Sequence, residues 1–226
     1  AFGENTDKNV IEHITLKPSR FFSLFKIFTI NRNDYNKVEQ NKLKQYDWLW
    51  KTLVYGSYLD FNFLNRIKSN FPTIKEIISN EDKFQEGTGI QYSSNPTYSS
   101  EHLIGKSFID VYGVEPFFIN QDKISDFDKP MVHRTRTEKP HVFIAPMLLV
   151  RMGLDMNSLL VKSAISRQNL LFKNSITSIS VKNKADIRDL YSIQAVFSTD
   201  ILCYYAINSF AFIGIEREQT QNYDKY

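Results

Sequence analysis

Cysteine is almost missing from this sequence: Cys203 stands alone among 226 residues. A lone cysteine excludes an internal disulfide and any CxxC zinc site, and it predicts a reducing, cytoplasmic setting. Glycine is scarce as well, with 8 residues where average usage of roughly 7% would give about twice that number. No stretch approaches the ~20 apolar residues that a membrane-spanning helix needs. The greasiest one, Phe21–Ile30, is interrupted by Lys26. The opening AFGENTDKNV is polar and lacks the apolar core of a signal peptide. Without a Met start, and with strand-like residues already at Val10, the chain reads as a segment of a longer protein. The formal net charge of +3 is too small to imply nucleic acid, since that inference needs clustered charge.

What is present in excess is aromatic: 18 Phe, 12 Tyr and 2 Trp, on an otherwise ordinary globular background of 42% hydrophobic and 23% charged residues. Val10–Leu16 and the alternating Phe21–Ile30 read as two strands joined at Lys17-Pro18-Ser19. From Asp34 the apolar spacing turns helical, through Val38, Leu43, Tyr46, Leu49, Trp50 and Leu53, and again from Asp60 to Lys68 before Phe71-Pro72. Asn80–Glu101 reads as a polar loop. Short β-branched runs follow at Ser107–Val111, Phe117–Ile119, His141–Ile144, Met147–Val150, Leu159–Ile165 and Ser175–Val181, the spacing of an irregular sheet or open barrel. Helical periodicity returns over Ala185–Asn208. The expected fold is α+β: a mainly helical N-terminal connector over residues 1–80, then an irregular antiparallel β-rich domain over 81–226, closed by a C-terminal helix.

Catalytic patterns fail on inspection. Gly87-Thr88-Gly89 and Asn95-Pro96-Thr97-Tyr98 together suggest the cofactor turn and base-binding tetrapeptide of an adenine methyltransferase. A cofactor turn should follow a buried strand, however, and Asn80–Glu86 is polar. Thr97 also stands where that tetrapeptide has its second proline, so a surface loop is the plainer reading. Asp60 with Glu81-Asp82-Lys83 matches a loose nuclease pattern that chance supplies in a chain with 25 acids. His13, His102, His133 and His141 have no metal-ligand spacing, and Cys203 lies on an apolar helix as a small hydrophobe. The expectation is no catalytic residue and no metal.

The basic residues are placed unevenly. Six of nine arginines, Arg134, Arg136, Arg151, Arg167, Arg188 and Arg217, fall late in the chain. His133-Arg134-Thr135-Arg136-Thr137-Glu138-Lys139 packs donors suited to phosphates and guanine edges into one polar loop. A solvated or ion-paired loop is the competing explanation. Lys162, Arg167 and Lys173 are further candidates for the same face.

Two stretches, Tyr46–Asp60 (YDWLWKTLVYGSYLD) and Ala206–Gln219 (AINSFAFIGIEREQ), resemble the region that follows the catalytic domain in type IIG restriction–modification enzymes and related adenine-specific DNA methyltransferases. Trp50, Lys51, Leu53, Gly56 and Asp60 resemble that family's Trp-Lys-x-Leu-x-x-Gly-x-x-x-Asp pattern with slightly different spacing. Gly87, Gly89, Ile90 and Gln91 follow it, then Ala145, Pro146, Leu148, Leu149 and Arg151. Phe197-Ser198-Thr199 stands where the family usually has Leu-Asn-Ser. The motifs are individually weak, but they run in the family's order from about Trp48 onward. The resemblance implies a target-recognition module that grips double-stranded DNA beside a catalytic methyltransferase domain of the same parent chain. S-adenosylmethionine would belong to that domain, and no cofactor to this segment. It implies DNA contacts from the Gly87–Asn95, His133–Lys139 and Gly214–Gln219 segments. Arg134, Arg136, Arg151 and Arg217 would meet phosphate or guanine, and Gln91 and Gln219 adenine or backbone, with Asn95, His133 and Lys139 at the same surface. Trp48, Trp50, Leu53 and Phe61 would be connector core. The alternatives are a protein-interaction module with an aromatic docking surface, or a small-molecule enzyme with a pocket.

Overall fold

A computed structural model describes residues 9–16, 20–155, 158 and 160–210, and shows an α+β fold. The contacts divide it into two compact units, one of residues 9–71 with 205–210, the other of residues 72–204.

The first unit opens with β1 (Val10–Ile14), whose partner is β2 (Tyr35–Glu39) in antiparallel register, Val10 facing Glu39 and Ile14 facing Tyr35. The expected second strand at Phe21–Ile30 is corrected. Its first part is the helix α1 (Arg20–Phe25), stopped where Lys26 takes a left-handed φ of 57°, and the rest is irregular. A short apolar run fits either period, so its alternation did not decide the structure. The strand appears instead in YNKVE, within the region expected to be helical, with Val38 inward and Lys37 outward beside Glu12 at 3.4 Å. Helices α2 (Gln40–Gln45), α3 (Leu49–Tyr55) and α4 (Tyr58–Asn70) follow. The start of α4 is fixed by Asp60, whose carboxylate accepts from the backbone N–H and hydroxyl of Ser57, both at 2.6 Å. Pro72 then follows the end of α4, as proline disfavours helix in the residue before it. The core here is small: Val38, Leu43 and Leu49, with Ile11, Tyr46, Leu53 and Phe61 packed around them. Trp48 is buried and stacks on Phe61 at 5.3 Å. Trp50 is not core; it is exposed, with His13 at its edge 6.1 Å away.

The second unit begins at α5 (Ile74–Ile78), capped reciprocally by Thr73 and Glu76. Its main sheet contains β3 (Phe84–Thr88), β10 (Met147–Arg151), β11 (Ser163–Ser166) and β13 (Ile176–Val181), in the order β11-β10-β13-β3, all antiparallel. Between them in sequence lie β4 (Tyr98–Ser99), β5 (Ser107–Ile109), β6 (Val114–Glu115), β7 (Phe118–Ile119), β8 (Ile124–Asp126) and β9 (Met131–Val132). β12 (Leu171–Phe172) pairs parallel with β5, β8 antiparallel with it, and β4 with β9. No closed barrel forms among the described residues. β10 and β13 are buried along nearly their whole length, because both faces are covered. α6 (Ile187–Phe197) lies against β10, β11 and β13 with Leu190, Ile193 and Phe197 buried. The side chain of Gln194, also buried there, donates to the Ser163 carbonyl at 3.0 Å. Ser198 and Thr199 separate α6 from α7 (Asp200–Ser209), so the expected single C-terminal helix is two. Two other expectations are corrected: Phe84–Thr88 is a strand, and His141–Ile144 lies on and just after a turn of 3-10 helix, Pro140–Phe143.

Candidate functional site

The glycine-bearing segment Gly87–Gln91 holds the basic loop in place. Gly87 lies on β3, where a Cβ would come within 2.8 Å of Val142, in the 3-10 turn just after the basic loop. At Gly89 a Cβ would meet the Phe172 carbonyl oxygen at 2.1 Å, so only glycine lets these backbones approach. Ile90 continues the line, donating to Phe172 at 2.7 Å and accepting from Asn174 at 2.9 Å. Gln91 then grips the loop's beginning: its N–H donates to the Arg134 carbonyl at 3.0 Å, and its carbonyl accepts from His133 and Arg134 at 2.9 and 3.2 Å. The β4–β9 pairing, Tyr98 with Val132, fixes the residues just before the loop. At its far end Lys139 Nζ donates to the Glu86 carbonyl at 3.3 Å. Gly87 and Gly89 are thus packing residues, held close to Val142 and Phe172.

Within that frame His133 is half-buried and Arg134 is exposed, and neither side chain has a partner among the described residues. Arg136 is half-buried with a left-handed φ of 59°. Thr135 and Thr137 share a hydrogen bond of 3.1 Å across it. Beside the loop lies a concavity of about 570 Å³ whose wall includes Thr137, with Leu103, Phe143, Leu170 and Leu171 as apolar lining and His102 and Lys106 as polar lining. Tyr92, next to Gln91, packs against Phe108 and has the Lys173 ammonium 5.9 Å from its ring. Burial, reinforced by Asp110 and Asp128, pushes its phenol up to about 12, so it stays a neutral donor.

The other expected residues separate from this cluster in different ways. Arg151 ends β10 and sits over the Tyr112 ring at 5.9 Å. Asn95 is exposed in the 93–96 loop, its N–H donating to the Ser93 hydroxyl at 3.2 Å. Arg217 and Gln219, with the Gly214–Gln219 segment, lie outside the described residues. The three additional candidates are occupied internally. Lys162 bridges Glu115 at 3.0 Å and Asp155 at 3.1 Å, and hydrogen bonds to these carboxylates raise its pKa. Arg167 donates to the Tyr191 hydroxyl at 2.9 Å, and Lys173 lies 3.8 Å from Asp110. Sequence reasoning missed Tyr92, the threonine bracket and the His102–Lys106 rim; of these only the Thr135-x-Thr137 repeat left a visible trace.

No group of His, Cys, Asp and Glu side chains able to hold a metal occurs among the described residues, and no described helix is long and apolar enough to cross a membrane. Burial and then Asp200 raise the pKa of the Cys203 thiol, so it has little thiolate character. The chain matches no protein-family model and no curated protein.

Proposed function

We propose that this chain is a sequence-specific DNA-binding, target-recognition module of a bacterial adenine-specific DNA methyltransferase or restriction–modification enzyme, without catalytic groups of its own. The observation that carries the reading is the contrast among its cations. Lys83, Lys162, Arg167 and Lys173 are engaged by groups of the protein, whereas the neighbouring side chains of His133, Arg134 and Arg136 have no partner among the described residues and ride on a segment pinned by backbone hydrogen bonds. Donors held in place and left unneutralised are what phosphate oxygens and base edges require.

The exposed apolar side chains of the first unit supply the second half of the reading. Leu24, Tyr58 and Leu59 are about three-quarters exposed (75%, 74% and 77%), and Phe25, Ile27 and Ile30, close to Leu24 in sequence, are exposed as well. Apolar surface on that scale marks a docking face, and the proposed occupant is the catalytic methyltransferase domain of the same parent chain. The same feature underlies the protein-interaction alternative, in which the docking face is the whole function.

Duplex DNA binding by the 226-residue chain, followed by fluorescence anisotropy, tests the reading. The logarithm of affinity should fall linearly with the logarithm of salt, with a slope of about 0.9 per phosphate neutralised. Arg134→Ala should lower that slope by about one such unit. In an enzyme carrying the module, Arg134→Ala with Arg136→Ala should reduce or redirect site-specific methylation. Absence of salt-dependent duplex binding, or methylation unchanged at every site, would overturn the proposal.

A further inference from the structure

Resting on the DNA-reading function proposed above, we infer that the two loop arginines divide the work: Arg136 is the residue that selects a guanine, and Arg134 is a phosphate anchor. Three observations converge on Arg136. Its Nε is buried without any hydrogen-bond partner, and it is the one charged side chain with such an atom among the described residues. Its backbone occupies the left-handed region, at φ 59°, which a side chain with a Cβ adopts at a cost. The hydroxyls of Thr135 and Thr137 join across it, and Gln91 ties down the backbone two residues earlier. Two unfavourable features at one residue, in a loop braced on both sides, are the pattern of a side chain held ready for a ligand.

The geometry also selects the ligand. Among the described residues Nη1 and Nη2 have no protein acceptor, and Arg136 as a whole is half-buried, so its terminal fork is unclaimed while its Nε is enclosed. Guanine O6 and N7 are two acceptors side by side in the major groove, and a guanidinium fork spans both. A fork fixed in position can discriminate, because the other bases do not offer that pair of acceptors. Arg134 shares the bracing by Gln91 but differs on the first two counts: its side chain is exposed and its backbone is in no strained region. An exposed cation suits a phosphate, whose charge can be met from many directions.

Selection from a randomised duplex pool, run with the unaltered chain, Arg136→Ala, Arg136→Lys and Arg134→Ala, tests the division of labour. The unaltered chain should enrich a site with a guanine that both Arg136 variants cease to prefer. The lost discrimination should be roughly 5- to 150-fold, the worth of one bidentate arginine–guanine pair. Arg136→Lys keeps the charge, so its salt dependence should match that of the unaltered chain. Arg134→Ala should keep the base preference and bind all sequences more weakly. If Arg136→Lys retains the full base preference, or Arg136→Ala weakens all sequences equally with a shallower salt slope, Arg136 is a phosphate contact and the inference is overturned. Failure of the unaltered chain to bind duplex DNA removes the functional reading and the inference with it. Binding with preferences unmoved in both Arg136 variants removes the inference alone.

Discussion

The two units treat their apolar side chains in opposite ways. In the second, Ile90, Ile109, Met147, Leu149, Phe172 and Ile176 belong to one continuous buried cluster, with β10 and β13 at its centre. In the first, the buried cluster is Val38, Leu43 and Leu49, and among the described residues exposed large apolar side chains outnumber buried ones. Apolar content therefore does not by itself indicate core. It becomes core where a wide sheet offers two faces to cover, and it stays on the surface where short helices and a two-stranded ribbon enclose little volume. Aromatic richness there is largely surface: among the described residues up to position 63, Phe25, Phe28, Tyr55, Tyr58 and Phe63 all face solvent.

Truncation should expose the contrast most sharply. Leu149→Ala, at a fully buried position of β10, should lower unfolding free energy by about 3–5 kcal/mol, and Leu43→Ala in the smaller cluster by only about 2 kcal/mol, both read from urea denaturation. Equal losses would mean that the first unit is as tightly packed as the second. Next in size, Gly89→Ala should cost about 1–3 kcal/mol in thermal unfolding, because its Cβ would drive into the Phe172 backbone. A smaller effect, about 1 kcal/mol after discounting partial exposure, is expected from Lys162→Met. Hydrogen bonds to Glu115 and Asp155 raise the lysine's folded pKa above its ordinary value. Its contribution is therefore fully present below pH about 10.5 and is lost as pH rises through the higher folded value. Urea midpoints of the two proteins should converge at strongly alkaline pH, and a constant gap would show that the ammonium charge is not the source. Smallest of all, Leu24→Ser and Phe25→Ser should change stability by no more than about 0.5 kcal/mol while reducing self-association in light scattering. A large destabilisation would mean those side chains are core after all.

The strongly patterned parts of the second unit were readable in advance. Met147–Val150 is a continuous aliphatic run, Ile176–Val181 is rich in β-branched residues, and Ile187–Phe197 keeps a clear 3.6-residue stripe. β3 escaped because it is an edge strand: FQEGT has one fully buried side chain, Phe84, so its sequence carries no apolar pattern. Gly87 on that strand and Gly89 just after it looked like loop signals when their purpose is close packing against Val142 and Phe172, contacts made by residues more than fifty positions away. Of the site, the donor cluster His133–Lys139 was visible as composition. Its bracing was not, since Gln91 acts through its backbone, which any residue type supplies. The spare or occupied state of each cation was equally hidden, because Lys162 and Lys173 differ from Arg134 only in what the fold places beside them.

The sheet order β11-β10-β13-β3 has a consequence for how the protein is made. β3 joins the sheet only by pairing with β13, and the bond from Ser180 to Gln85 spans 95 residues. On a ribosome adding about 5–20 residues per second, β3 emerges roughly 5–20 s before its partner exists. Gln85, Glu86 and Gly87 make that waiting strand polar and weakly β-forming, which protects the nascent chain from premature pairing with its neighbours. Tyr205, whose ring lies 4.9 Å from the Lys68 ammonium, arrives later still to complete the first unit. Neither unit can finish folding until these late segments have been made, so the N-terminal half of the chain gains no head start from being synthesised first.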